Sequence, residues 1–459
     1  MLKKILCAVL SVMLVLSVGI IGASAEGGDY VIVSPYKDVE WEGDKAWGAY
    51  KGTLHTHTTY SDASESLSVM IKEYYNQDYD FVANADHGVT GVDWDKAPSF
   101  PPLYLYQPII GCKFEHLTTE EYTAIQNGTY PLYDGVTIRN KKMVPVLGAN
   151  ELNFISLTKN HVNGYFLPEN VGTGFPGCED MWGYDQALSF IEKNNGLSHI
   201  NHPGDWLDSN SNPEVVNDPE MIKLFGDLIL KYDSCLGTEV FNERNGTTGY
   251  DRVLWDNLLM YTLPYGKNVI GFSNTDAHDK ENVDTSFSVF MMEDNNVDNI
   301  RKTMENGNFF MVTRKLRENV VKDNNIGPDK EIDVSNKGLP YPMFTKVSVD
   351  GHKITVAAKD ADKVQFIANG KSIYSCAIGS EPVTLDLDTV DGAEDFLYVR
   401  AELFGEGGMT ITQALTIDSG KELLKFEEKT GVEALWEEIL TILSSLRIGV
   451  IIQEIIRAI

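Results

Sequence analysis

The chain has 459 residues, 43% of them hydrophobic, and a formal net charge of −29 at pH 7. That length exceeds one average domain, so two are expected, with apolar residues enough for substantial cores. So acidic a chain disfavours nonspecific binding to nucleic acid or anionic membranes, although bound cations could reverse the field locally and admit an anionic substrate.

The N-terminus reads Met1-Leu2-Lys3-Lys4, then runs apolar from Ile5 to Gly22 and ends in Ala23-Ser24-Ala25. A basic start, an apolar middle and small residues at a cleavage site make residues 1–25 a secretory signal peptide cut after Ala25. The bland alternative is an uncleaved anchor, since the run is near spanning length. Export permits disulfides, but Cys112, Cys178, Cys235 and Cys376 show no CxxC spacing. A thiolate zinc site is therefore not expected, and these residues read as mostly buried single thiols.

Residues 26–313 read as the first domain, in which short apolar runs alternate with helix-like segments from about Ala49 to Thr313. Strands are expected at Ala49–Leu54, Phe81–Asn84, Val144–Ala149, Gly164–Leu167, Leu197–His199, Gly237–Phe241 and Asn268–Asn274. Amphipathic stretches at Leu67–Tyr75, Tyr184–Asn194, Glu220–Ile229 and Asp251–Met260 separate them. This alternation suggests an α/β barrel or a doubly wound sheet, with chemistry at the C-terminal ends of the strands. Residues 94–142 interrupt the pattern without a clear period and read either as a lid or as a surface decoration.

Residues 314–342 carry turn signals and read as a linker. Over 343–420 the period changes to two, in Thr345–Val349, Ile354–Val356, Val364–Ala368 and Leu397–Ala401, as in a small antiparallel β-sandwich. Residues 421–459 read as an amphipathic helical tail, with Leu435, Ile439, Ile442, Leu443 and Leu446 on one face. A docking helix is the plain reading of that tail, and association with the cell surface is the alternative.

The richest motif is Leu54-His55-Thr56-His57-Thr58-Thr59-Tyr60-Ser61-Asp62. In an extended strand His55 and His57 share a face, and Asp62 can fold back from the following loop. Imidazole and carboxylate are the usual ligands of zinc, manganese and iron. Further candidates sit near the ends of other strands: Asp86-His87, Glu151, His161 (which precedes its run), His199-Ile200-Asn201-His202-Pro203-Gly204 and Asp276-Ala277-His278. Of nine histidines only His116 and His352 fall outside the set. Each motif alone is weak; their order along one domain is far more specific.

That order, His-x-His, Ser-Asp, Asp-His, Glu, His, His-Pro-Gly, Asp-x-His, resembles the polymerase and histidinol phosphatase (PHP) superfamily. The resemblance covers roughly Ala49 to Thr313. It implies a distorted barrel of seven strands and seven helices, (β/α)7 and TIM-like, holding two or three divalent metals and mostly hydrolysing phosphoesters. The family's metal ligands fall on His55, His57, Asp62, His87, Glu151, His161, His202, Asp276 and His278. The implied grouping gives one metal His55, His57, Glu151 and Asp276, a second Glu151, His161 and His202, and a third Asp62, His87 and His278. Glu151 then bridges.

Such a site suits hydrolysis by metal-bound hydroxide, because metal lowers the pKa of bound water towards ~7. Imidazole ligands need acceptors behind them, and Asp86 is expected in that role, with Asn201 and Asn274 orienting groups nearby. His199 reads either as a general acid for the leaving group or as a buried, hydrogen-bonded histidine. Arg244 could grip a phosphate, or simply pair with Glu243. Asp205 stands where many relatives carry a basic residue after His-Pro-Gly. The run Asn306–Thr313 and the appended β region look similar to a secreted, carbaryl-hydrolase-like branch. The expected function is thus a secreted metal-dependent phosphoesterase with a small anionic ester substrate. The alternatives are a carbamate, amide or carboxylic ester hydrolase on the same metals, and a non-catalytic protein that binds a ligand or wall polymer.

Overall fold

All seven strands expected before residue 313 form, though not in one closed barrel. The computed structural model describes residues 30–91, 93–97, 114–152, 159–168, 181–242, 249–318 and 330–427. The signal segment, Arg244, Cys112, Cys178 and the tail from 428 onward lie outside the described residues. Among the described residues no helix is long and apolar enough to cross a membrane.

The strand Gly48–Thr53 pairs in parallel with Phe81–Val82, which pairs in parallel with Val144–Pro145. A separate sheet runs Asn150–Leu152, Val162–Tyr165, Leu197–Ile200, Cys235–Asn242 and Ile270–Asn274. Its first two pairings are antiparallel and its last two parallel. The expected parallel barrel is therefore corrected to two sheets, and the reason is an occupied edge. Gly48–Thr53 has two edges; one takes Phe81–Val82 and the other takes Ser286–Met292, antiparallel, with Ser288 opposite Gly52. Ile270–Asn274 cannot also pair there. The sheets meet instead at two isolated parallel bridges, Thr56 with Ala277 and His87 with Glu151.

Ser286–Met292 also pairs with the wholly buried strand Phe309–Thr313, which pairs onward with Gly408–Thr412. One eleven-stranded sheet thus runs from the metal-ligand region into the C-terminal β region. Its C-terminal strands and the three-stranded sheet of Met343–Asp350, Lys353–Lys359 and Val383–Asp386 share one apolar core, including Val347, Val356, Phe366, Val399 and Leu415. The segment expected to be only a linker contains an antiparallel pair, Lys315–Glu318 with Lys330–Asp333.

Helices form where the amphipathic stretches predict, at Leu67–Asn76, Met181–Lys193, Pro219–Lys231 and Asp251–Thr262. The described part of the 94–142 region holds the helix Thr119–Gln126, which a short window concealed and which is set by a capping box of Thr118 and Glu121. Its described part packs on the flank of Leu67–Asn76. Lys72 meets Glu121 at 2.7 Å, the Tyr133 hydroxyl donates to Glu73 at 2.6 Å, and Arg139 stacks 4.6 Å over Tyr75. Cys235 is buried and Cys376 half-buried, both as free thiols.

A buried charge network locks the helix Asp251–Thr262 to the strand Tyr398–Gly405. Arg400 grips Asp256 with two hydrogen bonds, Nε at 2.8 Å and Nη2 at 2.7 Å, and donates to Glu402 at 2.5 Å. Arg252 donates to the same Glu402 oxygen at 3.0 Å. Buried pairs are costly when halved, because the surviving charge has no solvent. The Asp256→Ala variant is expected to lose about 3–5 kcal/mol in urea denaturation. A loss below about 1 kcal/mol, the value of an exposed pair, would contradict this role.

Candidate metal centre

The candidate ligands gather on the seam between the two sheets. Gly48–Thr53 delivers Leu54 to the seam, where its N–H donates to the Asn274 side chain at 2.8 Å and its carbonyl accepts from the Tyr165 hydroxyl at 2.9 Å. The next residues cross over: Asp276 N–H donates to the His55 carbonyl at 3.2 Å and His57 N–H to the Ala277 carbonyl at 3.0 Å. Two ligands have left-handed backbones, His202 at φ 25° and Asp276 at φ 52°. Non-glycine residues there are strained, and such strain clusters at functional sites. It also turns the chain out of the ladder, so the strands end where the ligands begin.

Glu151 stands at the centre, with a side chain only 1% exposed. Its Oε2 lies 3.2 Å from His55 Nε2, 3.0 Å from His57 Nε2 and 3.4 Å from His87 Nδ1. Its Oε1 lies 3.1 Å from His161 Nδ1 and 3.2 Å from His202 Nε2. Asp276 Oδ1 closes the first group, 3.4 Å from His55 Nε2 and 3.1 Å from His57 Nε2. Asp62 gathers the third, 3.0 Å from His278 Nε2, 3.6 Å from His57 Nδ1 and 3.7 Å from His87 Nε2.

These spacings fit shared ions. Two ligand atoms each ~2.1 Å from one ion, at roughly 90–109°, lie about 3.0–3.4 Å apart. Hydrogen-bond geometry is poor at several of these contacts: among the described residues, both nitrogens of His161, His87 Nδ1 and Asp276 Oδ1 are buried without a well-formed hydrogen bond. Buried polar groups in that state call for a missing partner. Three groupings bring ligand atoms within 4.8 Å of one another: His55, His57, Glu151 and Asp276; His87, Glu151 and His161; and His57, Asp62, His87 and His278.

All nine expected ligands thus come together. The first group is the expected one; the second has His87 beside Glu151 and His161, with His202 on the same carboxylate oxygen; the third adds His57. A neutral imidazole has one lone pair, so His57 and His87 cannot serve two ions each. For His57 the second nitrogen is taken, since Nδ1 lies 3.2 Å from Ser61 Oγ, whose hydroxyl donates to Asp86 at 2.7 Å. His57 Nε2 is then left for the first group. Asp86 acts on His57 through Ser61, and it also holds the loop that carries Asp62, accepting from Thr58 N–H at 2.7 Å and Thr58 Oγ1 at 2.8 Å. His278 Nδ1 is likewise directed, 2.9 Å from the Asp276 carbonyl.

Other candidates fall elsewhere. His199 is buried behind the ligands, stacked on Phe272 with Nε2 2.8 Å from the Tyr165 hydroxyl, and belongs to none of the three groups. Burial, only partly opposed by Glu239, lowers its pKa to about 4, so the ring is neutral. These are the surroundings of a buried, hydrogen-bonded histidine. Asn201 orients Glu151 at 2.7 Å. His352 lies in the β region, 2.6 Å from Asp388 and stacked on Tyr30.

Sequence reasoning missed Glu239. It is fully buried and lies 2.8 Å from His55 Nδ1, fixing that ring so that Nε2 faces Glu151. The one signal was a lone charged residue inside a buried strand, Cys235–Asn242.

No protein-family model and no curated protein matches the chain. Solved structures do. A two-domain protein from Bacteroides vulgatus, described as containing a predicted PHP-like metal-dependent phosphoesterase, is 13% identical, with 86% of this chain and 100% of that chain covered at a TM-score of 0.39. PsfC from Pseudomonas syringae is 14% identical, with 53% and 83% covered at 0.30. A lesion-specific endonuclease from Pyrococcus furiosus is 13% identical, with 56% of each chain covered at 0.30. Likenesses this distant carry no argument for fold or activity.

Charge in the metal-free cluster predicts how ions bind. Burial alone would lower His57, but Asp276 and Glu151 outweigh it and hold the ring at about 10. His202 is held at about 9, its burial outweighed chiefly by Glu151. Both values exceed the unfolded ~6.5, so their contribution to metal-free stability is full below about pH 6.5 and is lost as pH rises through about 9 to 10. An ion must displace these protons. Affinity for zinc or manganese is therefore expected to rise between about pH 7 and 9, with proton release on binding. Calorimetry in buffers of different ionisation enthalpy reads this directly. Heats independent of the buffer would contradict the assignment.

Proposed function

We propose that the chain is a metal-dependent hydrolase of the PHP type that cleaves phosphoesters, is exported by its N-terminal signal, and takes a small anionic ester as substrate. The observation that carries this reading is Glu151: one buried carboxylate with five imidazoles from four chain segments at 3.0–3.4 Å, divided between its two oxygens. A purely structural core has no reason to collect so many imidazoles around one acid. The family-like order of the ligands along the chain supports the same reading.

The residues present would hold two or three divalent ions, and zinc, manganese and iron all suit this donor set. When bound, such ions lower the pKa of water and shield negative charge on a phosphoryl oxygen. The protein's part is placement. Glu151, Asp276 and Asp62 offset the stacked cationic charge, and each is held ionised by the surrounding histidines despite burial. Asp62 has the most exposed side chain of the set, 19%, so access from solvent passes its side of the cluster. Beside the His202 turn, where relatives carry a cation within the motif, Lys159 reaches Asp205 from another segment at 3.2 Å. Association with the cell surface through the tail 421–459 belongs to the same reading.

Purified protein with its metals counted, offered aryl phosphate monoester, aryl phosphate diester and aryl carboxylic ester in parallel, tests it. Phosphoester hydrolysis is expected to dominate. Preference for the carboxylic ester would move the reading to the carbaryl-hydrolase-like alternative, and no turnover of any ester would leave a binding protein. Replacing His87 or Asp276 with Ala is expected to cut metal content and activity together, the activity by more than about 100-fold. Full hydrolysis by either variant would contradict the metal mechanism.

A further inference from the structure

Four hydrogen-bond donors converge on Glu239 from four separate places. His55 Nδ1 lies 2.8 Å from Oε1 and Asn274 Nδ2 donates to the same oxygen at 3.0 Å. Asn242 Nδ2 donates to Oε2 at 3.0 Å, and so does the backbone N–H of His202, also at 3.0 Å. Only an acceptor-only group satisfies all four; an amide would turn its NH2 against two donors in either orientation. Asn242 reaches one step further, donating to Asp276 Oδ2 at 3.2 Å.

The consequences fall on both sides of Glu151. With Nδ1 of His55 committed to Glu239, the lone pair on Nε2 faces Glu151 Oε2 and Asp276. With its N–H held, His202 keeps the φ of 25° that aims its ring at Glu151 Oε1. We propose that Glu239 is the positioning residue for both sides of Glu151: it fixes the His55 tautomer and the His202 turn together, so ion binding on either side of Glu151 would depend on a carboxylate outside the ligand set. This rests on the metal-binding reading above and extends it to a residue outside the ligand set.

The test is ion binding, not turnover. Full-length wild type and Glu239→Gln are titrated with zinc against a chromophoric chelator, and bound ions are counted. Glu239→Gln is expected to bind zinc about 10- to 100-fold more weakly at sites on both sides of Glu151. Wild-type affinity and stoichiometry in a folded variant would overturn the proposal, as would a lowered melting temperature with zinc affinity unchanged, the mark of a merely structural role. Should the variant not fold, zinc-loaded wild type decides by nitrogen-15 spectroscopy, with His55 assigned by its loss in His55→Gln. A proton on His55 Nδ1 and none on Nε2 is expected; the reverse would overturn the proposal. Wild type that binds no zinc or manganese at all would instead bring down the metal-binding reading itself, and this inference with it.

Discussion

The structure depends on how one buried carboxylate is satisfied. Glu151 has almost no contact with solvent, and burial alone would drive it to its neutral form. The histidines around it reverse that and hold it ionised, with His55, His87 and His161 contributing most. Imidazoles gathered this closely around carboxylates form groups that could hold divalent ions. The carboxylates and the imidazoles each make the burial of the other affordable.

That arrangement sets requirements on the backbone. The candidate ligands lie in or beside the ends of several strands, so the strands must bring their ends to one place without filling it. Two sheets meeting only at isolated bridges meet that need. A continuous ladder at the seam would commit the backbone of Thr56, His87 and Ala277 to extended geometry, whereas His202 and Asp276 are turned into left-handed conformations. Support for the strained residues lies behind the seam, in Glu239, Asn201, Asn242 and Asn274. The sheet's extension through Ser286–Met292 and Phe309–Thr313 into the β region, with the Arg400–Asp256 network beside it, anchors the seam on one side.

The ligands were legible in the sequence because histidine is scarce in this chain and its positions end apolar runs, so residue type and place agree. Strand positions were legible for the same reason. The division of ligands among ions was not, because His57 and His87 each present a nitrogen to two groups, and ring orientation has no trace in spacing. Glu239 was hidden because a single acid in a strand has no motif; its meaning comes from donors that the fold brings to it, three of them from other segments. Barrel closure failed as an expectation because edge occupancy is a long-range property, decided when Ser286–Met292 pairs with Gly48–Thr53 from more than two hundred residues away. The helix Thr119–Gln126 is too short to show a period, though Thr118 and Glu121 had its cap in view.

The central claim is that Glu151 and the histidines around it would hold divalent ions on both sides of the carboxylate. Crystals grown with manganese or zinc and measured on either side of the metal's absorption edge test this most directly. The account predicts anomalous peaks on both sides of Glu151, one among His55, His57 and Asp276 and another beside His161. An empty cluster in crystals saturated with either metal, or a single ion that leaves Glu151 untouched, would contradict it.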